Sequence, residues 1–202
     1  PELPLQPSLM PRPLIPEDVP LLYAAILHGI EGSDGRLADF GPGLGLSSPD
    51  TPSTYDPSGC PVFQIIRAQL EDHPEGMCWT EVQRSLAHAS GLTRPLATLY
   101  LLAFVNRRSQ EALREAHLVL AAGHGMQLRD GTLFKGRRLT REFIPLISWD
   151  EEAFSRDFAA LRYTVPEVAW SDALPYTSLL CQGLTEAGDE SAEALRGERE
   201  LL

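Results

Sequence analysis

Residues 93–134, TRPLATLYLLAFVNRRSQEALREAHLVLAAGHGMQLRDGTLF, change period midway, and that change decides the fold. Thr93 is placed to cap a helix, and Pro95 suits its first turn, where a backbone N–H has no intrahelical partner to lose. The body from Leu96 to Val105 is apolar on every side, so this helix has to be central. Ser109 to Ala116 reads as a charged helical continuation. His117-Leu118-Val119-Leu120 then reads as a strand, Gly123 to Gly125 as a turn, and Met126 to Arg129 as a second strand. Asp130-Gly131 is the strongest hairpin signal in the chain, because glycine accepts the positive φ of a tight turn; it leads into Thr132-Leu133-Phe134.

Two more helices precede this segment. Pro61 opens one whose apolar stripe is Val62, Phe63, Ile65, Ile66 and Leu70, ending near His73-Pro74. Thr80 and Gln83 have the spacing of a capping box for the next, which carries Val82, Leu86 and Ala89 on one face and stops at Gly91. Three helices followed by a β-hairpin is the order of a winged helix, whose hairpin closes one side of the core. The expected fold is therefore mainly α with a small β-hairpin: a winged-helix-like core of three helices plus wing over residues 60–148, with Leu99, Leu102, Phe104 and Leu133 buried. Extra helices flank it. An irregular helical domain with an incidental hairpin is the alternative.

Outside the core, residues 1–20 hold seven prolines and read as a Pro-rich arm or linker. Residues 21–59 read as the rest of a short helix from Val19 to Ile30, followed by a long Gly/Pro/Ser loop from Gly32 to Gly59. Thr140 is placed to cap a helix through Ile147, and Ser148 with Glu151 to box the start of another over Asp150 to Leu161. Residues 149–202 read as an acidic helical extension, with a further helix around Trp170 to Leu180 and a charged one from Ser191 to Leu202. That last pattern has no stop signal, which suggests a part of a longer polypeptide.

Charge divides the chain. The net charge is −11 overall, −6 over residues 1–60, +3 over 61–149 and −8 over 150–202. Residues 94–141 alone carry nine Lys/Arg against three acids. An acidic whole argues against a protein that coats nucleic acid with its entire surface, while the basic middle allows one local polyanion site. The third helix offers only Arg94, Thr98, Asn106, Arg107 and Arg108 as contacts, which suits a core element better than a base reader. If nucleic acid binds, Arg129, Lys135, Arg137 and Arg138 of the wing would touch phosphates, with Arg141, Arg107 and Arg108 adding charge.

Catalytic patterns are missing. Gly41-Pro42-Gly43-Leu44-Gly45 has no Lys-Ser/Thr after it, and Pro42 removes an amide donor, so it reads as a loop rather than a phosphate cradle. His117 and His124 lack further ligands at metal spacing. Cys60, Cys78 and Cys181 form no CxxC pair and read as buried or inert, which fits a reducing cytoplasm. Asp150-Glu151-Glu152 sits where a helix dipole favours acids. No apolar run approaches the ~20 residues of a membrane span. No enzyme activity, metal or cofactor is expected of this chain on its own. A single lysine, Lys135, against sixteen arginines fits a high-GC bacterial genome.

Leu96 to Val105, His117 to Leu120, Gly123-His124, Asp130-Gly131, Phe134, Arg138-Leu139-Thr140, Trp149-Asp150, Trp170 and Leu174-Pro175-Tyr176 together resemble a region of very large bacterial phage-resistance ATPases of the BREX and phage growth limitation type. The resemblance spans roughly residues 60–180. It implies a multidomain P-loop protein acting with partner defence components against phage DNA. The ATP-binding motifs themselves are absent, so no nucleotide-binding residue is transferred, and the segment would be an accessory module outside the ATPase core. Two functions remain open. The acidic flanks and the apolar third helix favour a non-catalytic interaction or architectural module that docks to another domain or subunit. The alternative is non-sequence-specific nucleic-acid binding, DNA included, through a basic wing.

Overall fold

The computed structural model describes residues 5–28, 35–107 and 115–164. Three helices form where the apolar stripes place them: α3 (Pro61–Asp72), α4 (Trp79–Ser90) and α5 (Arg94–Asn106), preceded by α1 (Asp18–His28) and α2 (Arg36–Leu44). Every residue of α5 from Leu96 to Val105 is buried, including Leu99, Leu102 and Phe104, because neighbours cover it on all sides. Phe63 of α3 meets it edge-on, with ring centroids 6.4 Å from Tyr100 and 5.4 Å from Phe104. Gly91 ends α4 at φ 64°, a left-handed position that suits glycine.

The Thr80–Gln83 capping box does not form. The helix begins at Trp79, which is fully buried, with Cys78 at its N-cap. Gln83 instead turns inward, donating to Thr98 Oγ1 at 2.6 Å and accepting from Arg94 Nε at 3.0 Å. A second Arg94 nitrogen donates to Ser155 Oγ at 2.9 Å, so this buried amide is satisfied at each end.

Strands close the other side. β1 (Met77–Cys78) lies between α3 and α4, β2 (Ala116–Leu120) follows α5, and β5 (Arg138–Leu139) and β6 (Phe158–Tyr163) complete an antiparallel sheet of order β1-β6-β2-β5. Leu118 faces Leu139 on one side and Leu161 on the other, and all three are fully buried against the helices. The molecule is thus mixed α and β rather than mainly α with one hairpin. The hairpin is a separate two-stranded ladder of β3 (Met126–Gln127) and β4 (Leu133–Phe134) around Asp130-Gly131. β2 does not pair with it, because β5 and β6 occupy both edges of β2: Leu120 N–H goes to Arg137 O and Ala121 N–H to Asp157 O.

Several local expectations are corrected. Thr140 follows a strand, and only a 3-10 turn at Ile144–Leu146 appears before Ile147. Helix α6 runs only from Glu151 to Asp157, capped by Asp150, whose Oδ1 accepts from Ala153 N–H at 2.9 Å. Residues 158–161, expected as helix, instead belong to β6 (Phe158–Tyr163), because the strands on either side offer its backbone partners. The sheet therefore draws on chain from both sides of residue 148. Leu133 is 54% exposed, not buried. Glu115 is not helical and Ala116 is strand, while the rest of the helix expected over 109–116 lies outside the described residues, as do those near Trp170 and Ser191.

The N-terminal third is also more ordered than its composition suggests. The Gly/Pro/Ser stretch contains α2, with Pro42 inside it and Gly45 at φ 67° as its stop. The Pro-rich arm is tied down: Gln6 N–H bonds Gly43 O at 2.8 Å, and Arg12 makes two 2.7 Å bonds to Asp18, which is 1% exposed. Buried tyrosines fasten the layers. Tyr100 OH donates to Leu44 O at 2.6 Å, and Tyr23 OH bridges Ile144 O and Ile147 O at 3.2 and 3.0 Å. No helix among the described residues is long and apolar enough to cross a membrane.

Candidate functional site

The hairpin is braced at its tip. Gly131 has φ 84° and its N–H reaches Leu128 O at 3.0 Å, while Leu128 N–H bonds Thr132 O at 2.8 Å. Asp130 Oδ1 accepts from Thr132 N–H and from its hydroxyl at 2.9 and 2.7 Å, and these bonds hold the carboxyl below its ordinary pKa. A short backbone bond, Arg129 N–H to Leu146 O at 2.7 Å, ties the base of the hairpin to the 3-10 turn.

Of the seven expected cations, three stand on this segment with exposed side chains and no acidic partner among the described residues: Arg129, Lys135 and Arg137. Arg138 is exposed too, but on the edge strand β5, opposite Val119. Arg141 is not available as expected. Its Nε lies 3.1 Å from Glu142 and 3.6 Å from Glu115, which offset its charge. Arg107 is turned away from a phosphate role as well, its guanidinium 3.9 Å from the Phe104 ring centroid and 5.8 Å from that of Phe63. Arg108 lies outside the described residues.

Two further basic groups join the wing side through the sheet. The pleat puts Leu118, Leu139 and Leu161 on the core face, so His117, Arg138 and Arg162 share the opposite face. Arg162 stands directly across from His117. The imidazole is 4% exposed, with Nδ1 3.1 Å from Thr164 Oγ1; burial first, then Arg138 and Arg162, hold its pKa below the usual value. Sequence reading passed over Arg162 because it lay just past the helix expected over Asp150 to Leu161, in the acidic extension.

The remaining chemistry is dispersed. His124 Nδ1 contacts Asp157 Oδ1 at 2.8 Å, and Asp157 is also held by Arg156, which more than His124 lowers its pKa. Cys60 is buried and its thiol pushed up to about 11 by desolvation. Cys78 is exposed, contrary to expectation, with Sγ 3.4 Å from Thr80 Oγ1, a contact that lowers its pKa. Among the described residues no group of three or more His, Cys, Asp or Glu could hold a metal ion. Comparisons with protein-family models, curated proteins and solved structures gave no match to this chain.

Proposed function

We propose that this chain is a non-catalytic module with a winged-helix-type core, part of a larger bacterial protein, whose wing side meets the phosphate backbone of nucleic acid without reading its sequence. The core reading is supported by the order helix–strand–helix–helix–strand from α3 to β2, closed by β6 between β1 and β2, with residues 121–157 as an enlarged wing. The resemblance to phage-resistance ATPases makes an accessory position beside an ATPase core the proposed setting. Burial of α5 on every face argues against insertion in a groove. The observation that carries the function is the trio Arg129, Lys135 and Arg137: exposed cations whose nearest acids in sequence, Asp130 and Glu142, are engaged by Thr132 and by Thr140 with Arg141. Guanidinium forks suit phosphate oxygens whatever the base.

A second reading, docking to another domain or subunit, is favoured by Leu133 and Leu146, 54% and 45% exposed on the same segment. Fluorescence anisotropy of labelled duplexes of unrelated sequence, across a salt series, separates the two. The double variant Lys135→Glu/Arg137→Glu should weaken binding to all duplexes alike and flatten the slope of log K against log salt by about two. Absence of wild-type binding at low salt would leave docking as the function.

A further inference from the structure

Between α4 and the start of α5 lies a slot of about 300 Å³, open to solvent on one side and lined by Thr80, Gln83, Arg84, Ala87 and Arg94. The surface these five residues present to it is almost wholly carbon. Thr80, Gln83, Arg84 and Ala87 recur at spacings of three and four, so one face of α4 forms a wall. Ala87 contributes a single methyl, which leaves the space open. Arg94 forms the other wall, and it is fixed in place. Its Nε donates to Gln83 Oε1 at 3.0 Å, an Nη donates to Ser155 Oγ at 2.9 Å, and its carbonyl accepts from Thr98 Oγ1 at 3.1 Å. Gln83 is 4% exposed and donates to Thr98 at 2.6 Å, so the network that holds Arg94 is itself anchored in the core.

The charges at the slot remain available. Arg94 spends two guanidinium N–H groups on neutral partners and keeps the rest. Arg84 is exposed and makes no hydrogen bond or ion pair among the described residues. Glu81, three residues before Arg84, and Glu151, four before Ser155, form no ion pair with either arginine. Two cations therefore border a carbon-lined slot. A bare phosphate would leave that slot unfilled, and a neutral apolar molecule would gain nothing from the charges. An apolar body carrying a carboxylate satisfies both, because guanidinium forks match carboxylate oxygens.

We infer that the slot between α4 and α5 binds a small organic acid, its apolar body against Ala87 and the arginine stems and its carboxylate on Arg84 and Arg94. The site is separate from the wing and does not depend on the nucleic-acid reading. Its volume is at the small end of ligand cavities, which suits a compact ring system rather than a nucleotide or a long chain.

The test uses the full 202-residue chain with naphthoate as the probe, followed by NMR at neutral pH. Naphthoate should shift the Ala87 methyl and Arg94 Nε resonances along one saturable curve. Naphthalenemethanol, of similar shape without the charge, should bind more weakly. Arg84→Gln, at an exposed position, should weaken naphthoate binding roughly two- to fivefold, the range of an exposed ion pair, and Arg84→Lys should restore part of it. Ala87→Leu keeps a strong helix former and fills the slot, so it should abolish binding. Naphthoate that binds Ala87→Leu as it binds the wild type overturns the site, because the ligand then lies elsewhere. An alcohol that binds as tightly as the acid, with no loss in Arg84→Gln, overturns the assignment of a carboxylate. Ala87 and Arg94 resonances that stay in place at millimolar naphthoate overturn the proposal altogether.

Discussion

Asp18 shows how one carboxylate can hold a segment whose composition predicts slackness. It is 1% exposed, accepts both Arg12 bonds and the Ile15 N–H at 3.0 Å, and lies 3.5 Å from Arg36. The Arg12 hydrogen bond is the main reason its pKa falls below the ordinary carboxylate value, with desolvation opposing it. Because the folded pKa is depressed, the stabilisation is present above the unfolded value of about 3.9 and is lost as pH falls through the folded one. Asp18→Asn should cost about 1–3 kcal/mol at neutral pH, toward the lower end because Arg12 is 39% exposed, and should soften the acid limb of stability below about pH 4. Urea unfolding from pH 7 to 2 measures both effects; an unchanged acid limb would show that other carboxylates govern it. Leu102 belongs to the other kind of residue, held by packing alone. It is fully buried in α5, and Leu102→Ala should cost about 2–5 kcal/mol in the same assay.

Among the elements, β1 is only two residues long, yet it borders the sheet and depends on the glycine before it. Gly76→Ala combines a positive φ with a clash at Arg162, and should destabilise by more than about 1 kcal/mol while displacing the Arg162 stem. Thermal unfolding and the Arg162 Nε resonance report the two consequences separately. The buried Tyr23 hydroxyl links α1 to the 3-10 turn, so Tyr23→Phe should cost about 1–2 kcal/mol by removing the donor shared by the Ile144 and Ile147 carbonyls, of which Ile144 O keeps the Ile147 N–H. The helices α3, α4 and α5 were legible because their signals are local: apolar spacing, Pro61 and Pro95 at the starts, Gly91 at a stop. The Asp130-Gly131 turn was legible for the same reason. β1, β5 and β6 were not, since two-residue strands carry no period, and β6 follows a capped helix directly. α2 was hidden by its own glycines and proline, which composition assigns to loops. The wing cations could be read from charge alone, whereas Arg162 acquires its meaning only from its register with His117.

At the scale of the whole molecule, everything hinges on β6, which pairs with β1 on one side and β2 on the other. A chain cut after Ser148 keeps all three core helices but loses the strand between β1 and β2. It should unfold without a sharp urea transition, while a chain cut after Thr164 retains one, because residues 1–164 form a compact unit. Equal cooperativity in the two fragments would mean that the helices suffice. The same arrangement imposes an order on biosynthesis. Met77 leaves the ribosome about eighty residues ahead of Phe158, an interval of roughly 4–16 s at 5–20 residues per second. The helical layer contains neighbours close in sequence and can collapse during that interval, but β1 and β2 have no shared partner until the last strand arrives. Through those seconds the nascent chain exposes Met77 and Leu118 on unpaired edges, and it is then that a chaperone has its chance to bind them.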